Sequence, residues 1–116
     1  MRFLASILLA AMATTASAHA VLTGTSLEGK TVRAGAETTV TLRFNSAIEA
    51  GLSQVKLVDA ERHERALPLQ PETTAGHVVV KVPPLEPGAY GLHYKIFAVD
   101  GHVTENVLRF TAALAE

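Results

Sequence analysis

Asp100-Gly101-His102 puts a carboxylate and an imidazole two residues apart, and on an extended backbone residues so spaced point to one side. Gly101 between them lets the chain turn tightly or come close to a bound ion. His19 is the second residue of chemical interest, because of what precedes it. Arg2, an apolar run over residues 3–13 and then Ala16-Ser17-Ala18 have the charged, apolar and small-residue order of a secretory signal peptide. The run is shorter than the roughly 20 apolar residues that span a bilayer. Cleavage after Ala18 would make His19 the first residue, whose α-amine and imidazole Nδ1 can close a six-membered chelate on one metal ion. A second small-residue pattern, Ala18-His19-Ala20, would instead remove the histidine, so the cleavage position decides the chemistry.

Together the two features offer one amine nitrogen, two imidazoles and one carboxylate. Tetragonal nitrogen and oxygen coordination of this kind suits Cu(II), with Zn(II) as the rival ion. Sulfur plays no part: the sequence has no Cys, and its two Met residues, Met1 and Met12, fall in the signal segment. Asp-Gly is also a turn former, so the tripeptide by itself reads as a hairpin corner with a surface histidine. The conjunction with His19 is what points to a metal. The remaining histidines read as structural or solvated: His63 sits in the charged stretch Glu61-Arg62-His63-Glu64-Arg65, His77 opens a strand, and His93 points outward beside Gly91 and Lys95. Each lacks a partner at ligand spacing along the sequence. No Gly-x-Ser-x-Gly elbow, Gly-rich phosphate loop or His-Glu-x-x-His motif is present.

The elements that must hold these residues are strands. Residues 19–116 form one domain with no internal repeat and no linker. A 48 % hydrophobic content argues against disorder, and removing Arg2 takes ten basic residues to nine against eleven acidic ones, which argues against a nucleic-acid binder. Val40, Leu42 and Phe44 alternate with polar residues, as do Val55 and Leu57, and Val78, Val80 and Val82. The longest candidate, residues 89–99, carries Tyr90, Leu92, Tyr94, Ile96 and Ala98 on one face, and residues 106–112 turn Leu108 and Phe110 inward. Turn signals such as Ala34-Gly35, Ala75-Gly76, Pro87-Gly88 and Asp100-Gly101 separate the runs. The pattern is all-β and predicts an antiparallel, immunoglobulin-like β-sandwich, with a small barrel as its competitor.

Over nearly its whole length the chain after residue 18 resembles the CopC-type periplasmic copper-binding (copper resistance) domain. The resemblance is carried by His19-Ala20-Val21-Leu22 directly after the signal peptide, Val40-Thr41-Leu42-Arg43-Phe44 and Leu85-Glu86-Pro87-Gly88-Ala89-Tyr90. Above all it rests on Val99-Asp100-Gly101-His102 before a final strand ending in Phe110. It implies a Greek-key, immunoglobulin-like barrel or sandwich of about seven strands. It further implies one Cu(II) held by the N-terminal histidine through amine and imidazole and by the Asp-Gly-His segment, which correspond to His19, Asp100 and His102. Some members add a Met-rich Cu(I) site, which this chain lacks the methionines to build. Leu27 and Val103 stand where Pro is common, Asn106 where Gly is common, and Tyr94 near a frequent Trp. Ser46 stands two residues after Phe44, where many members have an acidic residue.

The resulting expectation is an exported, non-catalytic, monomeric Cu(II) carrier of the periplasm. The resemblance implies a CopD-type inner-membrane copper transporter as its recipient. Two other classes compete: a metal-free immunoglobulin-like partner-binding module, and a histidine-brace copper oxidase resembling lytic polysaccharide monooxygenases. The oxidase class presents a broad aromatic surface to its substrate, whereas residues 19–116 hold only Phe44, Phe97, Phe110, Tyr90 and Tyr94, most of which fit the core.

Overall fold

Eight strands form two facing sheets in the computed structural model, which describes residues 21–27 and 30–114. In chain order they are β1 (Leu22–Thr25), β2 (Thr31–Arg33), β3 (Thr38–Phe44), β4 (Gln54–Val58), β5 (Glu64–Leu67), β6 (His77–Val82), β7 (Gly88–Phe97) and β8 (Val103–Ala113). One sheet has the order β1-β3-β6 and the other β2-β8-β7-β4-β5. The chain crosses between them after β1, β2, β3, β5 and β6, and the architecture is a Greek-key sandwich rather than a closed barrel. His19 and the signal segment lie outside the described residues.

Alternation explains the core. Val40, Leu42 and Phe44 from β3 and Val78, Val80 and Val82 from β6 meet Val55, Leu57, Leu92, Tyr94, Ile96, Leu108 and Phe110 from the other sheet, all buried. Each such side chain contributes about 1.5–3 kcal/mol by leaving water. The Phe44 and Tyr94 rings meet edge to face across the sheets, 5.6 Å between centroids.

Three strands carry no clear periodicity in the sequence. In β5 only Leu67 is buried, in β2 only Val32, and β1 has no fully buried residue, so short edge strands give almost no alternation to read. β2 also departs from the all-antiparallel expectation, because it runs parallel to β8 with Thr31 opposite Thr111. The last strand begins earlier than its hydrophobic run: β8 starts at Val103, opposite Phe97, directly after His102. Conversely β7 ends at Phe97, and Ala98 beyond it bridges Ile48 while its amide still donates to the His102 carbonyl.

The segment Leu85-Glu86-Pro87-Gly88-Ala89-Tyr90 has a structural purpose. The Tyr90 hydroxyl donates to the Glu86 carbonyl at 2.7 Å, which pins the entry to β7, while its ring stacks on Phe110 with centroids 5.7 Å apart. Tyr90→Phe keeps the stacking and loses the hydrogen bond, so urea unfolding should show a loss of about 1 kcal/mol. An unchanged midpoint would mean that the hydroxyl exchanges freely with water.

Candidate metal centre

Asp100 and His102 occupy the five-residue connection between the two longest strands. Within it the Gly101 amide donates to the Ala98 carbonyl at 2.9 Å and the Ala98 amide to the His102 carbonyl at 2.8 Å, which folds residues 98–102 into a closed tip. Gly101 has a φ of +96° with open space where a Cβ would stand, so its lack of a side chain serves backbone conformation and not packing. Asp100 Oδ1 accepts from the His102 amide at 3.0 Å and lies 3.1 Å from His102 Nδ1. Both side chains are partly exposed at this tip.

That Oδ1 to Nδ1 separation fits a shared ion. Two donors each about 2.0–2.2 Å from a metal and at right angles to one another are about 3 Å apart. Loss of the imidazole Nδ1 proton would turn a hydrogen-bonded pair into two cis ligands with little movement.

The start of the described chain is tethered to the same crossover. The Asn45 amide donates to the Val21 carbonyl at 3.0 Å, and the Val21 amide donates to Asn45 Oδ1 at 2.8 Å, just beyond the pairing of Leu22 with Phe44. Two positions further along, the Ala47 carbonyl accepts from the Val99 amide at 3.1 Å, and Ile48 bridges Ala98. Residues 45–47 therefore connect Val21 to the residue before Asp100. Position 19 is two residues upstream of Val21, a reach of up to about 7 Å. Ser46, in the middle of this connection, has a buried Oγ with no hydrogen-bond partner among the described residues.

Asp100 and His102 are thus brought together, and residues 45–47 link Val21 to Val99, the residue before Asp100. The other three histidines lie elsewhere. His77 opens β6. His93 faces outward from β7 as expected, with Nε2 at 2.6 Å from Glu105 Oε2. His63 is exposed, but the β4–β5 turn gives it partners that linear spacing did not suggest. Its Nδ1 lies 3.1 Å from Asp59 Oδ2 and 3.7 Å from Glu61 Oε1. The donor atoms of Asp59, Glu61 and His63 all fall within 4.8 Å of one another. Amides of His63 and Glu61 donate to Asp59 Oδ1, and these bonds, that from His63 foremost, hold its carboxyl below the ordinary aspartate range. This cluster is a hydrogen-bonded turn whose members already satisfy one another. Asp-x-Glu-x-His was its only sequence signal.

A surface hollow of about 750 Å³ lies towards that same end, lined by Lys30, Arg62, Tyr90, His93 and Arg109 among others, and includes neither Asp100 nor His102. Metal binding at the 98–102 tip would need converging donors, not a cavity.

A two-sheet Greek-key sandwich presenting an Asp-Gly-His tip beside its N-terminal strand defines a recognisable class. The CopC domain model matches residues 22–113, and the chain belongs to that family. Its fold is similar to CopC from Methylosinus trichosporium OB3b, with a TM-score of 0.71 at 22 % identity over 84 % of this chain and 97 % of that one. It is also similar to PcoC, a methionine-rich copper resistance protein from Escherichia coli, with a TM-score of 0.61 at 16 % identity over 83 % and 100 % of the two chains. A superoxide reductase (neelaredoxin) from Ignicoccus hospitalis shares the fold more loosely, with a TM-score of 0.53 at 13 % identity over 77 % and 79 %. No curated protein matches in sequence.

The Asn45 side chain is the tether that can be cut without touching a proposed ligand. Asn45→Ala should speed amide hydrogen exchange at Val21 about five- to tenfold, while protection across β7 and β8 is unchanged. Equal exchange at Val21 would show that the strand is held by its backbone pairing alone.

Proposed function

We propose that this protein is an exported Cu(II) carrier that binds one ion at the 98–102 tip and catalyses no reaction. The observation that carries the reading is the 3.1 Å approach of Asp100 Oδ1 to His102 Nδ1 beside the tethered start of β1. In this reading residues 1–18 are a signal peptide whose removal makes His19 the amino terminus. His19 then supplies amine and imidazole, His102 the second imidazole and Asp100 an anionic oxygen. Membership of the CopC family supports copper as the ion, and the copper resistance role stated for PcoC supports a periplasmic setting. The recipient implied by the family resemblance is a CopD-type membrane transporter. No helix among the described residues is long and apolar enough to cross a membrane, and the carrier acts as a monomer.

The donor set favours Cu(II) because nitrogen-rich tetragonal sites suit that ion and because it heads the affinity order of the divalent first-row metals. The chain has no thiol, and no thioether remains after residue 18, so nothing in the carrier reading favours Cu(I).

Competitive titration with Cu(II), using protein whose mass shows that it begins at His19, tests the site directly. One tight equivalent is expected, lost on acetylation of the α-amine and weakened at least tenfold by His102→Ala. Equal binding by acetylated and free protein would remove His19 from the site. The metal must displace protons from an amine that ordinarily titrates at about 7.7–8.0 and imidazoles near 6.5, so affinity should rise from pH 5 to pH 8 and collapse below about pH 6. A flat profile over that range would contradict nitrogen ligation.

A further inference from the structure

The hollow of about 750 Å³ on the outer face of the five-stranded sheet lies at the end away from the 98–102 tip, and the charges that line it differ in how far they are engaged. Its two carboxylates are both taken. Asp59 accepts from the amides of Glu61 and His63 and meets the His63 ring, and Glu64 lies 3.6 Å from Lys56 Nζ. His93, on the same wall, is held by Glu105. The side chains of Lys30, Arg62 and Arg109 are exposed and make no hydrogen bond or ion pair with any described residue. The hollow therefore offers three cations whose charge the fold does not use.

The strand register places them on two sides. Val58, Gly91 and Arg109 are neighbours in one row across β4, β7 and β8, and Lys30 lies beyond β8, its carbonyl accepting from the Thr111 amide at 3.4 Å. Arg62 stands opposite, in the turn that follows β4, with its amide donating to the Asp59 carbonyl at 3.0 Å. Between the two sides the floor is apolar: Val58 and Val107 flank Gly91, where an added Cβ would come within 2.8 Å of Val107 Cγ1. Two strand spacings of about 4.8 Å separate β4 from β8, so the cationic sides are about 10 Å or more apart. Arg62 is also the one non-glycine residue among those described with a positive φ, +69°. Glycine takes that conformation freely and an L side chain resists it, so the turn holds a guanidinium at the hollow against its local preference.

A compact anion would reach one side only. An extended peptide advances about 3.3–3.6 Å per residue, so carboxylates three positions apart meet both sides while the residues between them lie on the apolar floor. Ten basic and eleven acidic residues give the whole chain a net charge of -1, so the attraction is local to this hollow and does not suit a long polyanion or an anionic lipid surface. We propose that the hollow docks an acidic segment of a partner protein in extended form, its carboxylates reaching Arg62 on one side and Lys30 and Arg109 on the other. The surface is remote from Asp100 and His102, so a partner is held with the tip left open, and the inference stands whether or not those residues bind a metal.

Metal-free protein beginning at His19 is titrated with the peptide acetyl-Gly-Glu-Val-Ser-Glu-Gly-amide and followed by two-dimensional amide NMR, beside the same peptide with Lys for both Glu and beside succinate. The acidic peptide should shift the amides of Arg62, Gly91, Val107 and Arg109 and leave those of Gly101 and His102 in place. Its dissociation constant should lie below about 1 mM and weaken at least about threefold between about 20 and about 200 mM salt. Arg62→Gly and Arg109→Gln should each weaken binding about threefold to fivefold. Arg62→Gly should melt no lower than the wild type, because glycine relieves the positive φ, which separates lost docking from lost folding. No binding of the acidic peptide, equal binding of the lysine peptide, shifts confined to other faces, or wild-type affinity in both variants would overturn the proposal. So would a marked fall in the melting temperature of Arg62→Gly, which would tie that side chain to the fold. Succinate binding as tightly as the peptide with the same shifts would make the hollow a small-anion site and overturn the docking of a protein segment.

Discussion

Residues 45–49 leave the three-stranded sheet at Phe44 and cross to the five-stranded one, and their backbone hydrogen bonds set the geometry of the whole site end. On the way they bind the amide and carbonyl of Val21, the amide of Val99 and the carbonyl of Phe97. A crossover between packed sheets must satisfy its backbone polar groups while leaving regular pairing. Here that requirement is met by the start of β1 on one side and the end of β7 on the other. Two parts of the chain about 80 positions apart in sequence are held together as a result.

The hairpin tip depends on that crossover as much as on its own turn. Ala98 bridges Ile48 on one side and donates to the His102 carbonyl on the other, and the 98–102 connection starts there. Gly101 then supplies the positive φ that closes it, and Asp100 caps the turn through the His102 amide. The same carboxylate oxygen that caps the turn approaches the imidazole. A turn motif and a pair of proposed ligands are therefore one arrangement: the reading of Asp-Gly-His as a hairpin corner is borne out, and that corner sets the two side chains against each other.

Ser46 and Ser53 bracket this crossover and show how differently two buried hydroxyls can be treated. Ser53 links Glu49 to Phe97 and stabilises the bend structurally. Ser46, nearer to Val21 and Val99, has no partner for its hydroxyl among the described residues. At the opposite end of the five-stranded sheet, Asp59, Glu61 and His63 form a turn in which carboxylate, amide and imidazole satisfy one another.

The sequence by itself determined an all-β fold, because period-two alternation in the five long runs, β3, β4, β6, β7 and β8, buries one face of each; it left sandwich and small barrel open, and the two-sheet strand order decided for the sandwich. The sequence also put Asp100 and His102 two residues apart, but a central glycine leaves such a pair many conformations, and the turn that brings them to 3.1 Å was set by the fold. Short edge strands were not legible: β1, β2 and β5 each bury too few residues to show a pattern, and β2 is held by parallel pairing to a strand some 80 positions away. The partners of His63 came from a turn, and the burial of Ser46 came from packing between sheets. Those facts belong to tertiary structure because a side chain's solvent exposure and hydrogen-bond partners depend on residues distant in the chain, which local periodicity does not encode.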